Sequence, residues 1–215
     1  MSFAKECWPF VLPAAGLVVV LAIFGKQGWA LVALLLACSL LLFFRIPQRD
    51  VRAAEGAVLS PANGKILKIE RVEDPQIGPG TFHHVVIFLS VFNVHVQRAP
   101  VEGVVVTSQY TAGKKLAAFN PKAGEVNEQH LIVLQHPTGD LFGVRQIAGL
   151  LARRVVTYLS TGQEVSRGEL IGVIKFGSRV DVLIPVRYDL EAKVGQKVHE
   201  GESVLARLEE RSDES

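Results

Sequence analysis

The chain has 215 residues, 49% of them hydrophobic, and a formal net charge of only +2. So small a charge provides no basic field for nucleic acid, which is therefore not an expected partner. The two cysteines, Cys7 and Cys38, form neither a CxxC pair nor a disulfide framework. If about fifty N-terminal residues lie in a membrane, enough chain remains for one compact domain with a core.

Two uncharged apolar runs occupy the N-terminus, residues 7–24 and 29–44, separated by the tetrapeptide GKQG. As helices, each is near the lower limit for crossing a hydrocarbon core of roughly 30 Å. We therefore predict a transmembrane helical hairpin and a membrane anchor over residues 1–52. The alternatives are a hairpin that enters only one leaflet and a cleaved signal peptide, against which the second run argues.

The charges beside these runs predict an orientation. Lys5 precedes the first run and three arginines follow the second, whereas the turn carries the single Lys26. By the positive-inside tendency, both ends of the hairpin and the rest of the chain face the cytoplasm, at the inner membrane of the cell.

Residues 53–215 have the pattern of a mostly β (α+β) soluble domain. Short apolar and β-branched runs alternate with Gly, Pro and Asn, which favours strands near residues 65–69, 84–92, 101–106 and 131–134. The run 148–159 fits a strand or a helix, because periodicity does not separate the two in short apolar segments.

A weak internal repeat lies in the C-terminal half of the chain. GQEVSRGE at 162–169 matches GQKVHEGE at 195–202, and each is interpreted as a hairpin whose glycines allow positive φ. The pair predicts a duplicated β-sandwich resembling biotinyl- and lipoyl-type halves. The alternative is that two similar hairpins only share turn chemistry. Exposed strand edges in such a fold would suit a homodimer.

The dipeptide Gly177-Ser178 lies between two strand-like stretches, where a glycine weakens or bends a strand. Without a Cβ, Gly177 leaves its carbonyl open to close approach, and the Ser178 hydroxyl is one residue away. Attack of that hydroxyl on the carbonyl gives an ester by N-to-O acyl shift. β-Elimination then breaks the ester, and loss of ammonia leaves a ketone on residue 178.

Six segments of the chain carry recognisable motifs, the first being FGSRVDVLIP at 176–185, which contains Gly177-Ser178. The others are FFRIPQR (43–49), SPANGK (60–65), LSVFNVHVQRAP (89–100), Asn127-Glu128 and 146–154. In sequence and order these segments resemble those of the short-form phosphatidylserine decarboxylases, which cleave themselves and convert a serine into a pyruvoyl group, and FGSRVDVLIP is similar to the family's processing segment. Several motifs in the right order are more specific than any one of them.

The resemblance implies decarboxylation of phosphatidylserine to phosphatidylethanolamine through a Schiff base on the pyruvoyl group made from Ser178. It implies association of two chains, a β chain of residues 1–177 and an α chain of residues 178–215. His95 matches a family histidine and is the candidate acid or base. The covalent pyruvoyl group is the only cofactor expected, since no Cys, His and Asp spacing predicts a metal site.

Two positions depart from the family pattern. Asn63 stands where the family usually has aspartate, and Arg98 where some members have a second histidine. An amide cannot accept a proton as a carboxylate does. Either other groups activate Ser178, or Asn63-Gly64 deamidates to Asp-Gly, or Asn63 is only a turn residue.

The membrane phospholipid substrate carries an anionic phosphodiester, which needs cations. Lys114, Lys115, Arg153 and Arg154 are candidates by charge, with ordinary surface charge as the alternative. Two non-enzymatic functions also stay open, a membrane adaptor and a protein that binds lipid head groups. The sequence does not separate phosphatidylserine from an ether-linked analogue with the same head group.

Overall fold

A computed structural model describes residues 2–49, 51, 56–150, 155–175 and 178–208. Three residues of the predicted site, Gly177, Arg153 and Arg154, lie outside the described residues. The chain divides into two compact units, Met1–Gln48 and Arg49–Ser215.

Two apolar helices make up most of the first unit, α1 (Trp8–Ile23) and α2 (Gln27–Phe43). A 3-10 helix, Lys5–Cys7, precedes α1, and two short strands, β1 (Ser2–Phe3) and β2 (Arg45–Ile46), pair antiparallel. The helices coincide closely with the two predicted apolar runs. By length and composition, Lys5–Ile23 can cross a membrane, while α2 is apolar but shorter. Crossing by both helices stays a prediction.

The contact between α1 and α2 is made with small side chains. Ala30, Ala33 and Ala37 of α2 are buried at helical spacing. Most large apolar side chains of both helices are exposed instead. Close helix packing through alanines, with leucine and valine facing outward, is the distribution expected of helices whose surroundings are lipid.

The second unit is mostly β, as predicted. It contains one short helix, α3 (Ala123–Val126), among its described residues. Its strands are β3 (Ala57–Leu59), β4 (Gly64–Glu73), β5 (Thr81–Leu89), β6 (Val96–Arg98), β7 (Gly103–Thr111), β8 (Gln129–Gln135), β9 (Leu141–Ala148), β10 (Val155–Thr157), β11 (Glu164–Val165), β12 (Leu170–Ile174), β13 (Ser178–Pro185), β14 (Tyr188–Leu190), β15 (Lys197–Val198) and β16 (Val204–Leu208).

These strands form one large antiparallel sheet and two small ones. The large sheet has the order β11-β7-β8-β9-β13-β5-β4-β15, and the small sheets have the orders β10-β12-β6 and β14-β16-β3. Apolar side chains from all three sheets meet in one core, among them Val58, Ile87, Val180 and Ile171. Strand β13 therefore lies in the middle of the large sheet with its even-numbered side chains in the core.

The same pairing pattern occurs twice in this unit. Ile66 pairs with Ile87 just before a bulge in β4, and Val105 pairs with Leu134 just before a bulge in β7. The large sheet therefore consists of two halves with the same arrangement of strands, counted from each edge inward: β15-β4-β5-β13 corresponds to β11-β7-β8-β9. The duplicated β-sandwich and its likeness to biotinyl- and lipoyl-type halves both stay predictions.

The two repeat segments have the predicted glycine geometry but not the predicted pairing. Gly162 and Gly195 both have φ +87, and Gly168 and Gly201 also have positive φ. The hairpin interpretation is wrong, because β11 pairs with β7 of the large sheet and β12 belongs to a small sheet. Each segment passes from one sheet to another, so that the apolar side chains at its two ends enter the shared core.

Candidate functional site

The register of β13 fixes the position of Ser178. Its Cα lies opposite Leu89 of β5 on one side and Ala148 of β9 on the other. Since side chains alternate along a strand, Ser178 shares the core side with Val180, while Arg179 lies on the opposite face. Ser178 is fully buried at the first residue of a central strand.

The Ser178 hydroxyl is unusual in its surroundings. Its Oγ is buried and has no hydrogen-bond partner among the described residues. An unsatisfied buried hydroxyl costs about 1–3 kcal/mol, so it is expected only where something other than stability requires it.

His95 is also buried and is held by the backbone of a neighbouring turn. Its Nδ1 lies 2.8 Å from the carbonyl oxygen of Asn93. Because a carbonyl only accepts, Nδ1 carries the proton, and Nε2 is the nitrogen with a basic lone pair. The His95 carbonyl in turn accepts from Ile174 N–H at 3.1 Å, four residues before Ser178.

Asn63 uses both ends of its amide. Its Nδ2 lies 3.0 Å from Nδ1 of His199, and its Oδ1 accepts from Asn93 Nδ2 at 2.8 Å. The Asn93 amide oxygen accepts from both the backbone N–H and the hydroxyl of Ser90. A series of side-chain hydrogen bonds therefore connects His199 through Asn63 to the turn that holds His95.

Sequence reasoning missed His199 and Asn93. His199 lies in the repeat segment and showed only turn chemistry, while Asn93 precedes His95 within a matched motif. His199 approaches Asn63 from 136 positions along the chain, a contact for which a single sequence carries no signal.

The opposite face of β13 carries a buried charged cluster. Arg179 donates to Asp181 at 2.7 Å, and His84 Nε2 lies 2.9 Å from the same carboxylate oxygen. His84 Nδ1 faces Glu70 at 3.2 Å. Burial acts to raise the pKa of Asp181, but the hydrogen bonds from His84 and Arg179 outweigh it and hold that pKa below its usual value.

Two cavities flank this part of the sheet. One of about 310 Å³ is lined by Asn63, Phe88, Asn93 and His199 among others. The other, of about 410 Å³, lies over the charged cluster and Phe119. Neither Ser178 nor His95 is among the lining residues of these two cavities, and both side chains are buried.

The predicted phosphate-binding residues are not brought to Ser178 by any described contact. Lys114 and Lys115 are exposed in the loop after β7, and Lys114 pairs with Asn127. Asn127 Nδ2 in turn donates to the carbonyl of Ala148, the residue opposite Ser178. Lys114 is thus linked through Asn127 to the strand beside Ser178, and its role in phosphate binding stays a prediction.

Comparison with known proteins places the chain in a class of decarboxylases, since the family model described as phosphatidylserine decarboxylase matches residues 38–206. Proteins named phosphatidylserine decarboxylase proenzyme from Burkholderia ambifaria, at 40% identity, and from Burkholderia lata and Burkholderia multivorans, at 39%, align over 96% of both chains. The chain therefore belongs to the phosphatidylserine decarboxylase family.

We expect Asp181→Asn to lower the free energy of unfolding by about 3 kcal/mol at pH 7, because Arg179 stays buried without its counter-charge. The lowered pKa of Asp181 means that its contribution is present above an unfolded-state pKa of about 3.9 and is lost as pH falls through the folded value. Denaturant unfolding in mild detergent should therefore show a difference from wild type that shrinks below about pH 4.

The matched control is Asp189→Asn, an exposed aspartate on β14, for which a change within about 0.5 kcal/mol is expected. Equal effects of the two substitutions would contradict a stabilising role for the buried cluster.

Proposed function

We propose that this chain is a proenzyme that cleaves itself between Gly177 and Ser178 and then decarboxylates phosphatidylserine to phosphatidylethanolamine. The observation that carries the proposal is the buried hydroxyl of Ser178, at the family's processing position, with no hydrogen-bond partner among the described residues. A hydroxyl that stabilises nothing is free to serve as a nucleophile and then to be lost.

Self-cleavage needs a nucleophile, a base and an electrophile. Ser178 Oγ attacks the Gly177 carbonyl carbon, its proton passes to a base, and the amide nitrogen leaves that carbon as an ester forms. Elimination across Cα–Cβ of Ser178 then releases the Gly177 carboxylate. Water replaces the α-nitrogen, which leaves as ammonia. His95, with Nδ1 donating to Asn93, presents a basic Nε2 and is the candidate base.

The resulting pyruvoyl group fits the position of Ser178. No hydrogen bond among the described residues is lost when the hydroxyl is converted. When bound to substrate, the group supplies an electron sink for the pair left behind as carbon dioxide departs. His95 then has a second task, the delivery of a proton to the substrate α-carbon, for which an imidazole nitrogen that can both accept and donate a proton is suited.

The two chains are expected to stay associated after cleavage. Residues 178–208 supply β13 and β15 to the large sheet and two strands, β14 and β16, to a small sheet completed by β3. A bidentate ion pair joins them further, since Arg49 donates to both oxygens of the buried Glu200. Because Ser178 is fully buried, we expect cleavage to separate the preceding chain from the start of β13 and so to open the route for substrate.

We further propose that the N-terminal hairpin holds this domain at the cytoplasmic face of the inner membrane. Support comes from the length and hydropathy of Lys5–Ile23 and from the flanking basic residues. Lys114, Arg153 and Arg154 stay proposed partners of the substrate phosphodiester.

Ser178→Ala is expected to fold normally, since the lost hydroxyl makes no described hydrogen bond, but to give neither cleavage nor a carbonyl reactive toward hydrazine. Intact mass should show chains of residues 1–177 and 178–215 for wild type and for the control Ser166→Ala, an exposed serine. Active wild-type protein that remained one 215-residue chain would refute the proposal.

Asn63 is best explained as a positioning residue. An amide suits its two contacts, because Nδ2 can donate to His199 while Oδ1 accepts from Asn93. Burial and bonding at both amide atoms also oppose the flexible approach to Gly64 that deamidation requires. We infer that Asn63 fixes the Ser90–Asn93 turn and, through it, the Asn93 carbonyl that orients His95.

Asn63→Ala is therefore expected to slow self-cleavage about tenfold, the equivalent of one or two lost hydrogen bonds. Asn63→Asp keeps the acceptor for Asn93 and should largely restore the rate, because the His199 tautomer with its proton on Nδ1 can donate to the new carboxylate. Timed electrophoresis of proenzyme and products measures the rate of each variant. An Asp variant as slow as the Ala variant would contradict the positioning role.

His95→Gln is expected to reduce decarboxylation by the cleaved enzyme about 10²–10⁴-fold, the usual contribution of general acid–base catalysis. Rates are normalised to the amount of processed α chain, which separates this effect from slower cleavage. The control His136→Gln changes a histidine of the β8–β9 turn at the opposite end of β13 and should leave the normalised rate unchanged. A normal normalised rate for His95→Gln would exclude His95 from the decarboxylation step.

A further inference from the structure

Three exposed apolar side chains surround the end of the large sheet at which Ser178 lies. β5 and β9 both run antiparallel to β13, so both end beside its first residue. The chain after β5 exposes 87% of Phe92, and the chain after β9 exposes 65% of Leu150. The third, Phe119, is 70% exposed. Together, Phe92, Phe119 and Leu150 are called the apolar rim.

The loop that carries Phe119 is connected to both neighbours of β13. On the β5 side, the Phe119 ring packs edge-on against Phe88 with ring centroids 6.4 Å apart. On the β9 side, Asn127 bonds to both the N–H and the carbonyl of Leu116 and to the carbonyl of Ala148. The loop is thus fixed across the end of the strand that begins with Ser178.

The charges of this loop favour an anionic surface. Lys114, Lys115 and Lys122 are all exposed, and Glu125, in the adjoining α3, is the nearby exposed acidic residue. Exposed phenylalanines interspersed with lysines are the combination that binds the interface of an anionic bilayer, with rings at the acyl boundary and ammonium groups among the phosphates.

The turn that presents Phe92 is also the turn that holds His95. Ser90 and Asn93 close it through the Asn93 amide oxygen, and the Asn93 carbonyl accepts from His95 Nδ1. Insertion of Phe92 into a bilayer would therefore bring lipid head groups close to His95 and Ser178 without movement of the strands that carry these two residues.

We propose that the apolar rim and its three lysines form a docking surface for an anionic lipid bilayer, through which phosphatidylserine reaches Ser178 directly from the membrane. This inference rests on the proposed function for the identity of the lipid that enters. The surface itself is independent of catalysis, because it is defined by exposure, charge and the sheet end.

A spectroscopic test needs no catalysis. Full-length protein with Trp8→Phe, Trp29→Phe and Phe92→Trp is placed in nanodiscs of phosphatidylglycerol and phosphatidylcholine with brominated acyl chains. We expect quenching of the fluorescence of the Phe92→Trp variant. The control carries Val186→Trp in place of Phe92→Trp, at a residue exposed beyond the other end of β13, and should not be quenched. Equal quenching, or none at position 92, would overturn the docking surface.

A kinetic test compares two presentations of substrate. Phe92→Ser combined with Phe119→Ser should lower kcat/KM for bilayer phosphatidylserine about tenfold or more, as expected when two side chains that insert into the apolar part of the bilayer are replaced by polar ones. The same variant should stay within about twofold of wild type on water-soluble dihexanoyl phosphatidylserine. An equal loss on both substrates would place the residues in the catalytic site and overturn docking. A wild type inactive on both would count against the proposed function, while the quenching result would still decide on docking.

Discussion

Strand β13 is hydrogen-bonded along both edges, and this double pairing is the constraint on which the rest of the site depends. Its neighbours β5 and β9 both precede the proposed cleavage position in sequence. Conversion of Ser178 would remove its amide nitrogen, but the pairing of β13 from Arg179 onward would stay in place on both edges. A chain break that would destroy an edge strand or loop is therefore tolerated here. The same pairing fixes residue 178 between two rigid strands, which suits its proposed reactions with its own backbone and later with substrate.

The sequence could predict the mostly β domain, the apolar helices and the serine at the strand start, because these depend on local composition and on short motifs. It could not predict which strand pairs with which. The repeat segments show this most clearly, since their glycines had the expected φ while their ends joined different sheets. Alternation reports that a residue is in a strand and which face it occupies, but carries no information on the partner.

The same limit explains why the surroundings of His95 and Asn63 were invisible in the sequence. His95 is oriented by a peptide carbonyl, a group that every residue has, and Asn63 by a histidine brought from the far end of the chain. From the sequence alone, asparagine in place of aspartate at position 63 suggests that a base is missing. The contacts show that an amide fits this position, because it can donate to His199 and accept from Asn93.

The repeated register of the large sheet provides an internal comparison for Ser178. Val180 pairs with Ile87 as Phe142 pairs with Leu134, so Ser178 and Asp140 hold equivalent backbone positions. Oδ2 of Asp140 accepts from Thr138 and Tyr188 and pairs with Arg187. The fold can thus surround this position with donors, and at Ser178 the described residues provide none. The unsatisfied hydroxyl therefore results from the local surroundings of Ser178 and not from the architecture of the sheet. An unpaired polar group at only one of two equivalent strand ends is what we expect if the proposed reaction takes place at that end alone.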